Sequence, residues 1–392
     1  MANVTQLYSI LNAVASQALG SAAVAVVDTR SMVALGDAVL ASNNDVDLFT
    51  GALVDRIGRT IVSVREWNDP ANDPLVKKEF DFGTCLQKIY VDIEDAAPNN
   101  AWEIGQQAYS PEFAPVYKPD VRQKLFNKIS TWEFNYTIPD QILRTAFTSE
   151  SEMSAFITAI YVAMENSLNL SLRNANNLTR ATAIAHTLNA AGTNQINLLA
   201  EYNDIYTGAT LTAAEAEYSA DFWRFATRRM LDVKEYMSQL SRSWNNESFA
   251  RHTPESELVF TVLQAMDSAQ KIYLQSDTFN QEIVKLGSRY NTVPFWQGTG
   301  TSGYDIDDVS TIKIKIPDPT DATKTIDVEQ SGIIAVMHDI EAMGTTINNR
   351  RITTERNNKD EYTDTFSKAN IGYFYDPSEN IAVFYIADPV TP

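Results

Sequence analysis

Residues Ser149–Leu172 read SESEMSAFITAIYVAMENSLNLSL. Met153, Phe156, Ile157, Ile160, Met164 and Leu168 keep the i, i+3, i+4, i+7 rhythm of a single buried helical face. Ser149 and Glu152 have the S-x-x-E spacing in which each side chain satisfies the other's free backbone amide, so the helix is expected to start at Ser149. No glycine or proline interrupts the chain before Leu188, and the helix is expected to run to Leu172 or, with a kink, to Leu188. At ~1.5 Å per residue even the shorter version exceeds about 30 Å, long for a small domain.

Upstream, Ala2 to Val27 contains no charged residue. No Lys or Arg precedes its apolar run, which argues against a secretory signal. Asn12, Ser16, Gln17 and Ser21 interrupt it too often for a membrane span. Leu7, Ile10, Leu11, Val14 and Leu19 roughly follow one helical face, leaving two readings: an arm that docks on a neighbouring subunit, or a helix packed on its own domain. Asn44 or Asp45 is placed to cap a short helix carrying Phe49, Leu53 and Ile57, which Gly58 ends. Arg59–Trp67 (RTIVSVREW) and Val76–Phe82 (VKKEFDF) then predict a hairpin around the turn-forming NDPANDP, with a further strand at Ile89–Ile93.

Downstream of the long helix, residues 213–287 read as helices broken at Pro254. Ile312–Ile316 and Ile326–Val328 predict a second hairpin around PDPTDATK, Ile333–Asn348 a helix, and Ile371–Tyr375 with Ile381–Ile386 a third hairpin around DPSEN.

The chain has 392 residues and a formal net charge of −19. That length suits two or three domains, and that charge repels nucleic acid, which excludes sequence-reading of DNA or RNA but leaves room for an acidic wall around it. Cys85 is the only cysteine, so folding needs no oxidising compartment. Gly298, Gly300 and Gly303 spell G-x-G-x-x-G, but a polar and then strand-like run follows where a phosphate-binding helix would have to start. His186, His252 and His338 are far apart and belong to no H-E-x-x-H, and Asp305, Asp307 and Asp308 lack the glycine and distal Glu of a calcium loop. No catalytic, cofactor-binding or metal-ligating residue is assigned. The balance shifts from catalysis towards assembly.

An uncharged arm, a projecting hairpin, a long amphipathic helix and a terminal hairpin resemble the tailed-phage capsid fold of Hong Kong 97 type. More specifically, the chain resembles the major capsid proteins of the phi-29 group of short-tailed Bacillus phages. The resemblance rests on Leu53-Val54-Asp55-Arg56-Ile57-Gly58, Pro74-Leu75-Val76-Lys77-Lys78, Ile89-Tyr90-Val91-Asp92-Ile93, Thr145-Ala146-Phe147 and Ala159-Ile160-Tyr161, in that order. It covers roughly residues 35–175 and 330–387; the middle, about 190–325, has no match of this kind. It implies an α+β fold with an N-terminal arm (1–44), a short helix and extended loop lying over an adjacent subunit (45–100), a peripheral domain with a spine helix (101–190), an axial domain (191–328), and a return to the peripheral domain with a C-terminal hairpin (329–392). Relatives carry an immunoglobulin-like C-terminal domain, whereas this chain stops at Pro392.

The expectation is a non-enzymatic shell subunit. It would self-assemble as hexamers and pentamers, with a scaffolding protein and a portal at one vertex, around non-specifically held double-stranded DNA, with no membrane and no cofactor. Candidate assembly contacts are Asn68, Asp69, Pro70, Asp73 and Pro74 at the hairpin tip, and the neighbouring Lys77 and Lys78. The rival expectations are a cellular compartment shell of the same fold, which portal and terminase genes nearby would exclude, and a cytosolic enzyme using carboxylates that leave no motif.

Overall fold

A computed structural model describes residues 4–20, 23–41, 45–53, 73–77, 86–93, 121–126, 129–147, 150–206, 208, 210–275, 289–297, 309–318, 321 and 323–388. The chain forms two compact units, one from Met1–Asp81, Ile129–Asn176 and Thr345–Tyr373, the other from Phe82–Lys128, Asn177–Gly344 and Phe374–Pro392. The strands RTIVSVREW, the start of the long helix at Ser149, the G-x-G-x-x-G loop, Asp305–Asp308 and Cys85 lie outside the described residues.

In the first unit the N-terminal region folds into α1 (Val4–Leu19), within the uncharged stretch, and α2 (Thr29–Leu40). Asp28 caps α2 in a box with Ser31, satisfying two free amides at once. The Asn12 amide pairs with both backbone groups of Val26, tying the α1–α2 connection down. Helix α3 spans residues 45–53, followed later by α4 (Asp140–Ala146) and the part of the 40-residue α5 (Glu150–Asn189) up to Asn176. Leu11, Met32, Leu35, Val39, Phe49 and Leu53 are buried in one apolar cluster with Leu143, Phe147 and Met153 from α4, its C-terminal end and α5. Of the two readings of the N-terminal helix, this cluster supports packing on its own unit, where its apolar face leaves water. A Cβ on Gly36 would stand 2.6 Å from the Phe147 ring, so the α2–Phe147 approach requires glycine.

The same unit holds a three-stranded sheet of order β10–β11–β3, from β3 (Ile129–Pro139), β10 (Met343–Asn357) and β11 (Tyr362–Tyr375). Strands β3 and β11 pair antiparallel from Tyr362 opposite Pro139 to Gly372 opposite Ile129. Ile138 and Ile160 pack together beneath them with Ile352, which places Ile160 on the buried face of α5 as its periodicity predicts.

In the second unit, β4 (Gln195–Asn197), β5 (Leu258–Leu263), β6 (Arg289–Val293), β9 (Ile333–Asp339) and β12 (Ile381–Tyr385) form a sheet of order β4–β12–β9–β5–β6. Every residue of β5 and β9 is buried. Their side chains pack against α6 (Leu198–Ile205) and α8 (Ala220–Ser238), where Phe222, Trp223, Ala226, Met230 and Val233 supply the apolar stripe. Two shorter helices, α7 (Ala213–Ala216) and α9 (Gln264–Gln270), complete the unit. The antiparallel hairpin β7 (Ile312–Pro317) with β8 (Thr325–Gln330) forms where its turn chemistry predicts it.

Three expectations differ from this. Residues 213–287 are not all helical, because β5 lies among them. Ile333–Asn348 is β9 and the start of β10, not a helix; a strand buried on both faces shows no alternation to read. Ile371–Tyr375 and Ile381–Ile386 do not pair with each other, since β11 lies beside β3 and β12 between β4 and β9. The DPSEN turn is real, but the chain leaves it for a different sheet.

Candidate assembly surface

Strands β1 (Leu86–Val91, LQKIYV) and β2 (Val121–Phe126, VRQKLF) form an antiparallel two-stranded ribbon in the second unit. Alternation assigns Lys88, Tyr90, Arg122 and Lys124 to one face, and Ile89, Val91, Val121 and Leu125 to the other. Ordinary patterning would bury the apolar set. The ribbon does the reverse: Ile89 is 63% exposed, Val91 59%, Val121 55% and Leu125 59%, with Ile93 following in the same row.

The charged face is received by a socket. Lys88 stands directly opposite Lys124, an unfavourable pairing unless an anion lies between them. Asp376, fully buried in the turn between β11 and β12, supplies it. One carboxylate oxygen lies 3.2 Å from the Lys88 Nζ, the other 3.1 Å from the Lys124 Nζ. The Tyr90 hydroxyl donates to the same carboxylate, and the Ser378 amide and hydroxyl donate from within the turn. Glu379 flanks Lys88 at 3.5 Å and Arg251 at 3.8 Å. Burial pushes its carboxyl pKa up, while Lys88 and Arg251 pull it down. Further out, Lys124 reaches Glu247 at 2.6 Å, and Arg242 bonds Asp92 and the Ile93 carbonyl just beyond β1. The Arg122 guanidinium lies over Phe249, and that of Arg251 over the Tyr90 ring.

Of the predicted contact residues, only Asp73, Pro74 and Lys77 are described. Asn68, Asp69, Pro70 and Lys78 are outside the described residues. Asp73, Pro74 and Lys77 belong to the first unit, where Asp73 caps the Leu75 amide, Leu75 is fully buried, and the Leu75 carbonyl and Lys77 amide bond the backbone of Thr345. Val76 makes a parallel bridge to Thr345 of β10, and the rest of the expected hairpin lies outside the described residues. Buried Leu75, directly before VKKEFDF, anchors the described part of that segment. The IYVDI segment is a strand as expected; its partner VRQKLF was missed because its inward positions are basic.

The histidines do not converge on a shared chemistry: His186 stacks on Tyr375, with burial lowering its pKa, His252 is exposed, and His338 is buried in β9 with Nδ1 2.7 Å from the Asp339 carbonyl. Among the described residues no group of three or more His, Cys, Asp or Glu is placed to hold a metal ion, and no helix is long and apolar enough to cross a membrane.

Comparison with known proteins agrees with this architecture. In two phage structures, the capsid of Staphylococcus phage Andhra and a structure of native bacteriophage P68, chains share the fold, with TM-scores of 0.52 and 0.51. The matches cover 83% and 79% of this chain and 86% and 83% of theirs, at 10% and 9% identity. This α+β fold is the Hong Kong 97 type expected from the sequence. The chain is 27% identical over 166 residues to the major capsid protein of Bacillus phage B103, and 25% to that of Bacillus phage PZA; each alignment covers 42% of this chain and 36% of the relative. The aligned stretch therefore spans little more than a third of those relatives. A family model for Phi29-like phage major capsid proteins matches residues 11–385, including the middle segment that the sequence motifs left unmatched. The chain belongs to the Phi29-like phage major capsid protein family.

Proposed function

We propose that the chain is the repeating, non-catalytic subunit of an icosahedral shell that encloses a phage double-stranded DNA genome, assembled in the host cytoplasm and retained in the virion. Family membership over residues 11–385 carries this reading. The subunit closes into hexamers and pentamers with a scaffolding protein and with a portal at one vertex, and it holds DNA without sequence preference. A net charge of −19 suits a wall that does not adhere to its contents.

The exposed face of the β1–β2 ribbon supports a contact between copies. Strand β1 lies within residues 45–100, the segment expected to supply an extended loop over an adjacent subunit, and the ribbon fits that role. Covering five side chains that are each about half exposed yields roughly 5 kcal/mol before ordering costs. A contact of that size is reversible singly and strong when multiplied over a closed shell. Asn68–Pro74, Lys77 and Lys78 remain candidates for a second contact.

The test is electron microscopy of the expressed chain with and without candidate scaffold, beside a Val91→Asp, Leu125→Asp variant. Closed particles from the wild type and folded, unassembled subunits from the variant are expected. Normal particles from the variant would remove the ribbon's outer face from the assembly contacts. A small soluble oligomer under every condition would sink the shell reading.

A further inference from the structure

Two-stranded antiparallel ribbons on a folded core usually bury apolar side chains and wet the charged ones. Here the core grips Lys88, Lys124 and Tyr90 through Asp376. Among the described residues, no backbone hydrogen bond joins β1 or β2 to the five-stranded sheet; the ribbon's own ladder is complete without it. Docking therefore depends on side chains; Arg242 holds Asp92 and the Ile93 carbonyl, and at the centre one carboxylate meets Lys88, Tyr90 and Lys124. Undocking exposes two ammonium groups and a phenol, which water receives readily, and leaves the six-pair ladder from Leu86–Phe126 to Val91–Val121 intact. Little apolar packing opposes it, chiefly that of Phe126 on Phe374 and of Tyr90 on Phe249.

We infer that Asp376 is a latch: it fixes the angle at which the β1–β2 ribbon presents its apolar outer face, and releasing it lets the ribbon swing as one piece while the rest of the unit stays folded. Asp376 is a positioning residue, placed by the Ser378 amide and hydroxyl and by its own amide on the Ala342 carbonyl. Lys88 is shared with Glu379 and with the Glu341 carbonyl, and Lys124 with Glu247, so these neighbours steady the latch without replacing its central anion.

The experiment uses the full chain, unassembled, so that its outcome is independent of shell closure. With Cys85 changed to serine, spin labels at Gln123 on the ribbon's exposed face and at Gln239 beyond α8 report the distance by pulsed electron resonance. The otherwise wild-type protein is expected to give one narrow distribution. Asp376→Asn, and separately Lys88→Gln with Lys124→Gln, are expected to broaden it, with amide exchange in β5, β9 and the β1–β2 ladder within about threefold of the wild type. A narrow distribution in both variants would overturn the latch. So would loss of protection in β5 and β9 in both, which would make the cluster a core support, or loss of the ribbon's own ladder, which would mean that it unfolds and does not swing.

Discussion

Replacing Asp140 with alanine isolates a buried ion pair in the first unit. Arg356 on β10 reaches Asp140 at the start of α4 through two parallel bonds, Nη1 to Oδ1 at 3.0 Å and Nη2 to Oδ2 at 2.6 Å. Each side chain is only 6% exposed. Removing the carboxylate strands a guanidinium that cannot give up its proton, at a cost of about 3–5 kcal/mol. The acidic group in the first turn of α4 is lost as well, worth ~0.3–1 kcal/mol. Arg356 keeps a bond from Nε to Asn358, at 3.0 Å, which softens the loss. The expected destabilisation is about 4 kcal/mol, against a total stability of roughly 5–15 kcal/mol. Urea unfolding of the unassembled chain, followed by far-ultraviolet circular dichroism, measures it. The double variant Asp140→Leu, Arg356→Met removes both charges together and should restore stability to within about 1.5 kcal/mol of the wild type. If Asp140→Ala costs less than about 1 kcal/mol, or if the double variant is no better than the single one, the pair is not the buried charge that its geometry implies.

Other expectations follow from the same packing. Ile160→Asp puts an unpaired charge between α5 and Ile138, and should cost several kcal/mol and yield insoluble subunit; normal solubility and melting would place the buried face elsewhere. Gly36→Val forces α2 off Phe147 and should destabilise by about 1–3 kcal/mol, read as a lowered melting temperature. Burial holds the Glu379 pKa above its unfolded value, so between the two values the folded state binds more protons. That group's contribution therefore becomes more favourable as pH falls through the folded value. Stability measured against pH for wild type and Glu379→Gln should show the wild type gaining on the variant as the solution is acidified through that window. A constant difference would remove Glu379 from the linkage.

The parts of this fold legible in the sequence are those with a readable period. Helix α5 shows itself through apolar residues at helical spacing from Met153 to Leu168, and the β7–β8 hairpin through alternation and a turn of Pro, Asp and Thr. Strands β5 and β9 hide because neither face meets water, so LVFTVL and IIAVMHD carry no period to separate strand from helix. Helices α1 and α3 were visible as helices and α2 was not, and whether their apolar face turns to their own unit or to a neighbour is a tertiary fact with no local signal. The ribbon was half legible: IYVDI reads as a strand, yet nothing in VRQKLF announces that Arg122 and Lys124 face inward, because the anion that accepts Lys124 lies 252 residues away.

That distant pairing also bears on why assembly would favour an inverted ribbon. Each subunit carries −19, so two copies repel before they touch, and any contact face that adds charge must offset both that repulsion and its own desolvation. The sequence has 31 basic residues against 50 acidic ones. Placing basic residues on an outer face would give each copy a patch that binds other copies' acidic surface indiscriminately, without fixing register. Turning Lys88 and Lys124 inward onto Asp376 neutralises a buried acid and leaves Ile89, Val91, Val121 and Leu125 outside. Such a face carries no charge to be repelled, and it is specified by shape rather than by attraction. On the proposed reading, charge sets where the ribbon points and apolar area sets what it touches, and the two are separable by changing Asp376 or Val91.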